Sequence, residues 1–148
     1  MARIGVCLSG CGVNDGAEIH ESVITALTLD RAGAEIIYTA PDVVQTKVVN
    51  HLTGEEINET RNVLVESARI ARGDITDLAQ LTSDDMDALL FPGGFDATLN
   101  LCDFALKGAD CHIPPGGEAD HPGNAGNPEA PGIYLYCTCP FCPCCKEC

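Results

Sequence analysis

One stretch of the chain decides its fold: residues 3–39, RIGVCLSGCGVNDGAEIHESVITALTLDRAGAEIIYT. It begins with a short apolar run, residues 3–9, followed by a glycine-rich loop, which predicts a buried parallel strand. Residues 18–32 then carry apolar side chains at helical spacing, and Gly33 fits a helix C-cap. Residues 34–39 predict a second strand. Strand, helix and strand in this order indicate a right-handed parallel unit.

The same alternation continues further along the chain. Residues 62–72 (NVLVESARIAR) predict a helix that stops at Gly73, and residues 88–91 (ALLF) predict another buried strand that ends at Pro92. Before these two elements, residues 48–49 could form a further strand. The pattern predicts an α/β domain with a parallel sheet. Because ligands bind beyond the carboxyl ends of such strands, the loops at residues 9–21 and 92–100 are the candidate site.

Composition limits the classes of function. The chain has 148 residues and a net charge of −14, from 8 Lys and Arg against 22 Asp and Glu. This charge argues against nucleic acid and anionic membranes as partners. No apolar run approaches the length of a membrane span, and Met1 leads into a strand without a signal-peptide pattern. We therefore expect a cytoplasmic protein, in which the ten cysteines do not imply disulfides.

Several residues of the two loops have both a catalytic and a structural interpretation. Pro92, Gly93 and Gly94 place backbone without side chains at a strand end, where free amides could receive a developing oxyanion, although the same residues also make a good turn. Glu21 is either an acid of the site or a surface acid favoured by the helix dipole. Cys11 is either a thiolate or a small residue of a tight turn.

For two other residues of this region, we expect a structural role only. Cys7 lies inside the first predicted strand and is expected in the core. His20 is expected at the surface or behind the site, because the front half of the chain has no partner for it at metal-ligand spacing.

Three motifs together resemble a known family. They are SGCGVNDGAEIHE at residues 9–21, NHLTGEEINETRNVLVESARIARGDI at residues 50–75, and LLFPGGFDATLNLCDFALKGADC at residues 89–111. They resemble the ElbB-type glyoxalases of the ThiJ/PfpI superfamily, which has class I glutamine-amidotransferase-like folds. The resemblance covers residues 2–111 and implies a flavodoxin-like sandwich, incomplete at the C-terminus here, that is often a homodimer.

The resemblance also implies a chemistry. A cysteine on a sharp strand-to-helix turn would attack small dicarbonyls such as glyoxal and release a hydroxy acid such as glycolate, with no metal or other cofactor. Glu21 matches the family's glutamate, and Gly93 and Gly94 match the glycines whose backbone faces the nucleophile. Gly10, Cys11 and Gly12 form the pocket loop. Asp96 departs from the small glycine usual after PGGF and adds a charge beside the pocket. An older association with isoprenoid biosynthesis attaches to the family name.

The chain departs from this pattern after Cys111. Residues 112–132 are rich in Pro and Gly and are expected to be disordered. In residues 133–148, a cysteine-rich tail ends in CTCPFCPCCKEC. The family pattern requires here a helix and then a strand of the type KPLGFICIAPA. Back-translation of residues 129–141 with free synonymous codons gives this strand when it is read one base later. We therefore interpret residues from about 112 onward as out of frame, which predicts impaired or absent glyoxalase activity.

Two alternatives for the tail stay open. Cys142 and Cys145, like Cys145 and Cys148, have spacings that suit zinc, so one alternative is a non-catalytic truncated domain or a thiol-rich metal-binding protein. In the other, residues 132–136 (GIYLY) still pair as a strand and Cys137 takes the place of the catalytic nucleophile.

Overall fold

The computed structural model describes residues 1–93, 97–102 and 107. Gly94, Asp96, the segment 112–132 and the tail 133–148 with Cys137 lie outside the described residues. The helices and strands in chain order are β1 (Arg3–Cys7), α1 (Ile19–Arg31), β2 (Glu35–Ala40), β3 (Val49–Asn50), β4 (Glu55–Glu56), α2 (Val63–Ala71), β5 (Thr76–Asp77) and β6 (Ala88–Leu90).

A parallel sheet organises the described part of the chain. Its strands run in the order β5-β2-β1-β6, and each neighbouring pair is parallel. β1 lies between β2 and β6, with Ile4 opposite both Ile36 and Ala88. The predicted α/β class and the predicted strands at residues 3–9 and 88–91 are confirmed. β3 and β4 form a separate antiparallel pair between β2 and α2.

Each face of the sheet has its own apolar cluster. On the face covered by the helices, the cluster is built on Val6, Leu8 and Ala17, and Leu29 and Ile70 pack against it. On the opposite face, the cluster comprises Cys7, Leu78, Met86 and Leu89, with Ile37, Leu81, Phe91 and Leu101 packed against them. A β-carbon on Gly5 would lie 2.8 Å from the Leu89 side chain, so close packing on this face requires a glycine there. Cys7 is 1% exposed, as expected for a core residue.

The two helices begin and end with local signals. Glu18 caps α1 by accepting a hydrogen bond from the Glu21 amide, and Asn62 caps α2 by accepting one from Val65. After α1, Gly33 has a φ of 75°, the left-handed conformation that favours glycine. None of the helices in the described ranges is long and apolar enough to cross a bilayer.

Candidate functional site

The carboxyl ends of β1, β2 and β6 carry the loops that form the candidate site. Because the three strands are parallel neighbours, the loops that follow them lie at the same edge of the sheet. This is the edge at which the sequence predicts a ligand site.

The loop after β1 is packed too tightly for larger residues at its glycines. Gly10 has a φ of 116°, and a β-carbon on Gly16 would collide with the backbone nitrogen of Cys11. A β-carbon on Gly12 would collide with a carboxylate oxygen of Asp15. The glycines at these positions therefore let the loop fold back on itself.

Asp15 anchors this loop from within. It is 2% exposed, and its Oδ2 accepts a hydrogen bond of 2.7 Å from the Val49 amide of β3. Its Oδ1 lies 3.5 Å from His51 Nε2, and this ring nitrogen also lies 3.2 Å from the Val13 amide. His51 Nδ1 lies 3.0 Å from the Val49 carbonyl oxygen, so the ring bridges the loop and β3.

Further polar contacts hold the loop from other elements. Ser67 of α2, which is fully buried, accepts a hydrogen bond of 2.9 Å from the Gly10 amide. Gln45, from the loop after β2, donates through Nε2 to the Asp15 carbonyl oxygen at 2.5 Å. The loop is therefore fixed by α2, by β3 and by the loop after β2.

Several buried polar atoms at this edge lack a hydrogen-bond partner within the described residues. They are Ser9 Oγ, Asp15 Oδ1, Thr39 Oγ1 and Gln45 Oε1. Gln45 Oε1 would lie 3.7 Å from a β-carbon on Gly10, directly under the loop. Buried polar groups of this kind commonly bind ordered water, so this edge offers polar groups that are not saturated by the protein.

The first turn of α1 contacts the loop after β6. The Glu18 amide donates a hydrogen bond of 2.9 Å to the Gly93 carbonyl oxygen, and Glu18 Oε2 accepts one of 2.7 Å from the Glu21 amide. The hydrogen bond from the Glu21 amide has the largest effect on the pKa of the Glu18 carboxyl and lowers it. The contact with His20 lowers this pKa further. Glu21 itself is half-buried. Two predicted site residues, Glu21 and Gly93, are thus connected through Glu18, while His20 lies at the surface with a side chain 88% exposed.

Cys7 and Cys11, which lie near this edge, are poor thiolates. Burial raises the pKa of Cys7 to about 12. Burial also raises the pKa of Cys11, which is half-buried, against the opposing effect of Arg69. Since the thiolate is the nucleophilic form, neither residue is prepared for attack at neutral pH. Of the predicted nucleophile and backbone groups, Cys137 and Gly94 lie outside the described residues.

A concavity lies away from the predicted site residues. It has a volume of about 450 Å³ and lies between residues 44–48 and residues 56–60. Gln45 lines it and also reaches the loop after β1, so the cleft borders the candidate site.

Sequence reasoning missed the residues that hold the loop together. The sequence pattern indicates only that Asp15 lies in a loop, and it predicts no role for His51 or Gln45. His51 lies within the motif NHLTGE, which contributes to the family resemblance but does not indicate what His51 contacts. Their partners are more than 25 residues away along the chain, so local pattern does not reveal them.

The comparisons with known proteins agree with this fold. No family model matches the chain. Over 113 residues it is 54% identical to the "Glutamine amidotransferase-like class 1 domain-containing protein 3, mitochondrial" of Homo sapiens, a match that covers 76% of this chain and 42% of that protein. A solved structure described as an isoprenoid biosynthesis protein with amidotransferase-like domain, from Ehrlichia chaffeensis, is 42% identical with a TM-score of 0.67, over 68% of this chain and 47% of that one. Over the matched residues, the chain is therefore similar to a glutamine amidotransferase-like class 1 domain.

The chain is also similar to the ES1 proteins. It is 55% identical over 113 residues to the "ES1 protein homolog, mitochondrial" of Rattus norvegicus, again over 76% of this chain and 42% of the relative. It is 36% identical over 116 residues to the "ES1 protein, mitochondrial" of Danio rerio. The chain spans less than half the length of these relatives.

The expected cytoplasmic location is contradicted by these relatives, since all three are named as mitochondrial proteins. The expectation rested on the lack of an apolar run of membrane-span length and of a signal-peptide pattern. A secretory signal peptide and a mitochondrial transit peptide are different segments, so the lack of a signal-peptide pattern does not bear on a mitochondrial address.

Proposed function

We propose that this domain has the chemistry of the ElbB-type glyoxalases of the ThiJ/PfpI superfamily, in which glyoxal and water give glycolate. A cysteine thiolate adds to one aldehyde carbon. Glu21 removes the proton from that carbon and returns it to the neighbouring carbon, which leaves a thioester of the hydroxy acid. Water then hydrolyses the thioester and frees the thiol. The two carbonyl oxygens, the two hydrogens and the added water are all accounted for in glycolate.

One observation supports this proposal above the others: the first turn of α1 is attached to the loop after β6. The Glu18 amide binds the Gly93 carbonyl oxygen at 2.9 Å, and the Glu18 carboxylate binds the Glu21 amide at 2.7 Å. The proposed proton carrier and the glycine loop are therefore held by one residue. Such fixed geometry matters, because misplacement by about 1 Å can reduce a rate about 100-fold.

The nucleophile is the part of the proposal that neither Cys7 nor Cys11 supplies. Cys7 and Cys11 both have raised pKa values, and Cys7 is fully buried. We propose that the activity of this chain is impaired or absent, because the sequence before and after Cys137 departs from the family pattern; the alternative is that Cys137 takes the place of the nucleophile. A homodimer, with a small dicarbonyl as its substrate, belongs to the same proposal.

The role of Glu21 is tested in protein translated from coding DNA that is read one base later from about codon 112. We expect Glu21→Gln to reduce glycolate production from glyoxal at least about 100-fold, the range for loss of a general acid–base. Glu35→Gln is the matched control, because Glu35 is exposed on β2, and its rate should not change. An unchanged rate in Glu21→Gln would contradict the proposal.

A further inference from the structure

Asn100 is a buried side chain that none of the sequence motifs explains. It is 4% exposed and lies in the helical turn Ala97–Leu101, which follows the loop after β6. Its Nδ2 donates hydrogen bonds to the Ser9 carbonyl oxygen at 2.9 Å and to the Asp15 carbonyl oxygen at 3.3 Å. Its Oδ1 accepts a hydrogen bond of 3.0 Å from the Thr46 amide.

These contacts join the loops after three parallel strands. Ser9 and Asp15 flank the tight loop after β1, and Thr46 belongs to the loop after β2. Thr46 also donates through Oγ1 to the Leu99 carbonyl oxygen at 2.7 Å, so the loop after β2 binds the Asn100 turn twice. Both amide hydrogens of Asn100 are engaged, and so is its oxygen. A single side chain thus connects the loops whose residues make up the candidate site.

The contacts of Asn100 lie on the C-terminal side of the loop after β6, and the contact of Gly93 lies on its N-terminal side. At its first end, the Gly93 carbonyl oxygen is held by the Glu18 amide. At its second end, Asn100 is held by the backbone of Ser9 and Asp15. In the sequence, the pocket loop Gly10–Gly12 lies between Ser9 and Asp15, whose carbonyl oxygens Asn100 binds.

We propose that Asn100 is a positioning residue, which fixes the turn Ala97–Leu101 against the Gly10–Gly12 loop and so sets the place of this loop relative to Glu21 and Gly93. This inference rests on the proposed function for its catalytic meaning. We call the hydrogen bonds from Asn100 to Ser9, Asp15 and Thr46 the clamp. The clamp is a property of the 148-residue chain and can be measured without turnover.

Asn100→Asp separates the hydrogen-bonding role from simple packing. The change keeps the shape but removes both N–H donors and places a carboxylate against two carbonyl oxygens. The Ser9 and Asp15 carbonyl oxygens would lose their donor and would repel the carboxylate, which is costly for buried groups. The loop after β1 and the turn Ala97–Leu101 should therefore separate more often. A protonated carboxyl can again donate one hydrogen bond, and burial favours that neutral form. The defect should therefore appear at high pH and recede at low pH.

The measurement is hydrogen–deuterium exchange of peptides covering residues 8–17 in the 148-residue chain. At pH 8 we expect exchange in Asn100→Asp at least about tenfold faster than in the wild-type chain, from the loss of the two hydrogen bonds that Asn100 Nδ2 donates. At pH 5 we expect the difference to fall to about twofold or less, since the protonated group regains a donor. Asn58→Asp is the matched control: it adds the same charge at an exposed asparagine and should leave the exchange unchanged.

Two results would overturn the proposal. One is wild-type exchange in Asn100→Asp at pH 8; the other is an equal excess at both pH values, which indicates lost packing alone. Thr46→Val provides a milder second variant if Asn100→Asp does not fold, because Thr46 is exposed. It removes only the bond to Leu99 and should accelerate exchange in peptides covering residues 97–102. If these peptides exchange as in the wild-type chain, the clamp is absent.

The exchange result and the catalytic proposal fail separately. If Glu21→Gln leaves glycolate production unchanged while exchange in Asn100→Asp depends on pH as expected, the proposed function fails and the clamp stands. If Glu21→Gln abolishes production and exchange is unaffected by Asn100→Asp, the clamp fails alone.

Discussion

Asp15 shows how much one buried side chain controls the candidate site. It is 2% exposed, and its carboxylate binds the Val49 amide at 2.7 Å. We expect Asp15→Ala to lower the free energy of unfolding by about 1–3 kcal/mol, because the buried amide of Val49 loses its acceptor. Asp15→Asn should cost less, since an amide oxygen can still accept this bond.

Urea unfolding of the variants measures the difference. Asp74→Ala serves as the control, because Asp74 is exposed and should change stability by less than about 0.5 kcal/mol. Equal stability of Asp15→Ala and the control would show that Asp15 does not anchor the loop.

Cys7 gives the chain a defined response to alkaline pH. Its thiol has an ordinary pKa of 9.0, and burial raises it to about 12 in the folded chain. Between these values the folded state binds more protons than the unfolded state, so the free energy of unfolding falls as pH rises. The slope from this group approaches about 1.4 kcal/mol per pH unit. Below pH 9 its contribution is fully present.

The test compares urea unfolding at about pH 8 and pH 10.5, on either side of the ordinary thiol pKa. We expect Cys7→Ala to lose less stability between the two pH values than the wild-type chain. Cys102→Ala, at a half-buried position, should retain the wild-type slope more closely. If Cys7→Ala keeps the full wild-type loss, the alkaline response comes from other groups.

Residues of the site could be predicted from the sequence only where a motif carried them. The resemblance selects Glu21, Gly93 and the glycines of the loop after β1. It does not reveal that Glu18 holds two of these residues together, because the bond from Glu18 to Gly93 joins positions 75 residues apart. Asp15 and Asn100 are common loop residues in the sequence, and only their long-range partners distinguish them.

Elements were predicted well where the apolar period was long. α1 spans Ile19–Arg31 against the predicted 18–32, and α2 spans Val63–Ala71 against 62–72. β5 was missed because its two residues, Thr76 and Asp77, contain no apolar run. A strand this short forms because β2 offers it a parallel partner, which sequence pattern alone does not record.

α1 also shows why helical period does not fix which face is buried. Its side chains Ile19, Val23, Ile24 and Leu27 are 43–61% exposed, whereas Ser22 is fully buried. Ser22 donates a hydrogen bond of 2.7 Å to the Glu18 carbonyl oxygen, which satisfies its hydroxyl in the interior. Hydrophobic residues are therefore a poor guide to the core-facing side of this helix.

α2 offers a direct test at the scale of the element. Asn62 accepts a hydrogen bond of 3.0 Å from the Val65 amide and donates one of 2.7 Å to Asp42. We expect Asn62→Ala to lower the free energy of unfolding by about 1 kcal/mol, the usual effect of losing an N-cap. Asn58→Ala is the control, since Asn58 is exposed and precedes the helix. Equal urea midpoints for the two variants would contradict the capping role.

At the scale of the whole molecule, the chain matches its relatives over only part of their length. The similarity to the human and rat proteins extends over 113 of the 148 residues. The described residues include the parallel sheet, Glu21 and Gly93, and burial raises the pKa of both Cys7 and Cys11. The proposed chemistry therefore depends on the sequence that follows, to which the out-of-frame interpretation applies.

Reading the coding DNA one base later from about codon 112 should restore the family's nucleophile strand. We expect the restored protein to produce glycolate from glyoxal at least about 100-fold faster than the 148-residue chain, because a nucleophile misplaced by about 1 Å already costs this factor. The restored chain should also stay soluble at higher concentration, since uncovered sheet edges promote aggregation. Cys137→Ser in the 148-residue chain is the matched control and should change little. If the 148-residue chain equals the restored protein and Cys137→Ser abolishes its turnover, Cys137 is a working nucleophile and the out-of-frame interpretation is wrong.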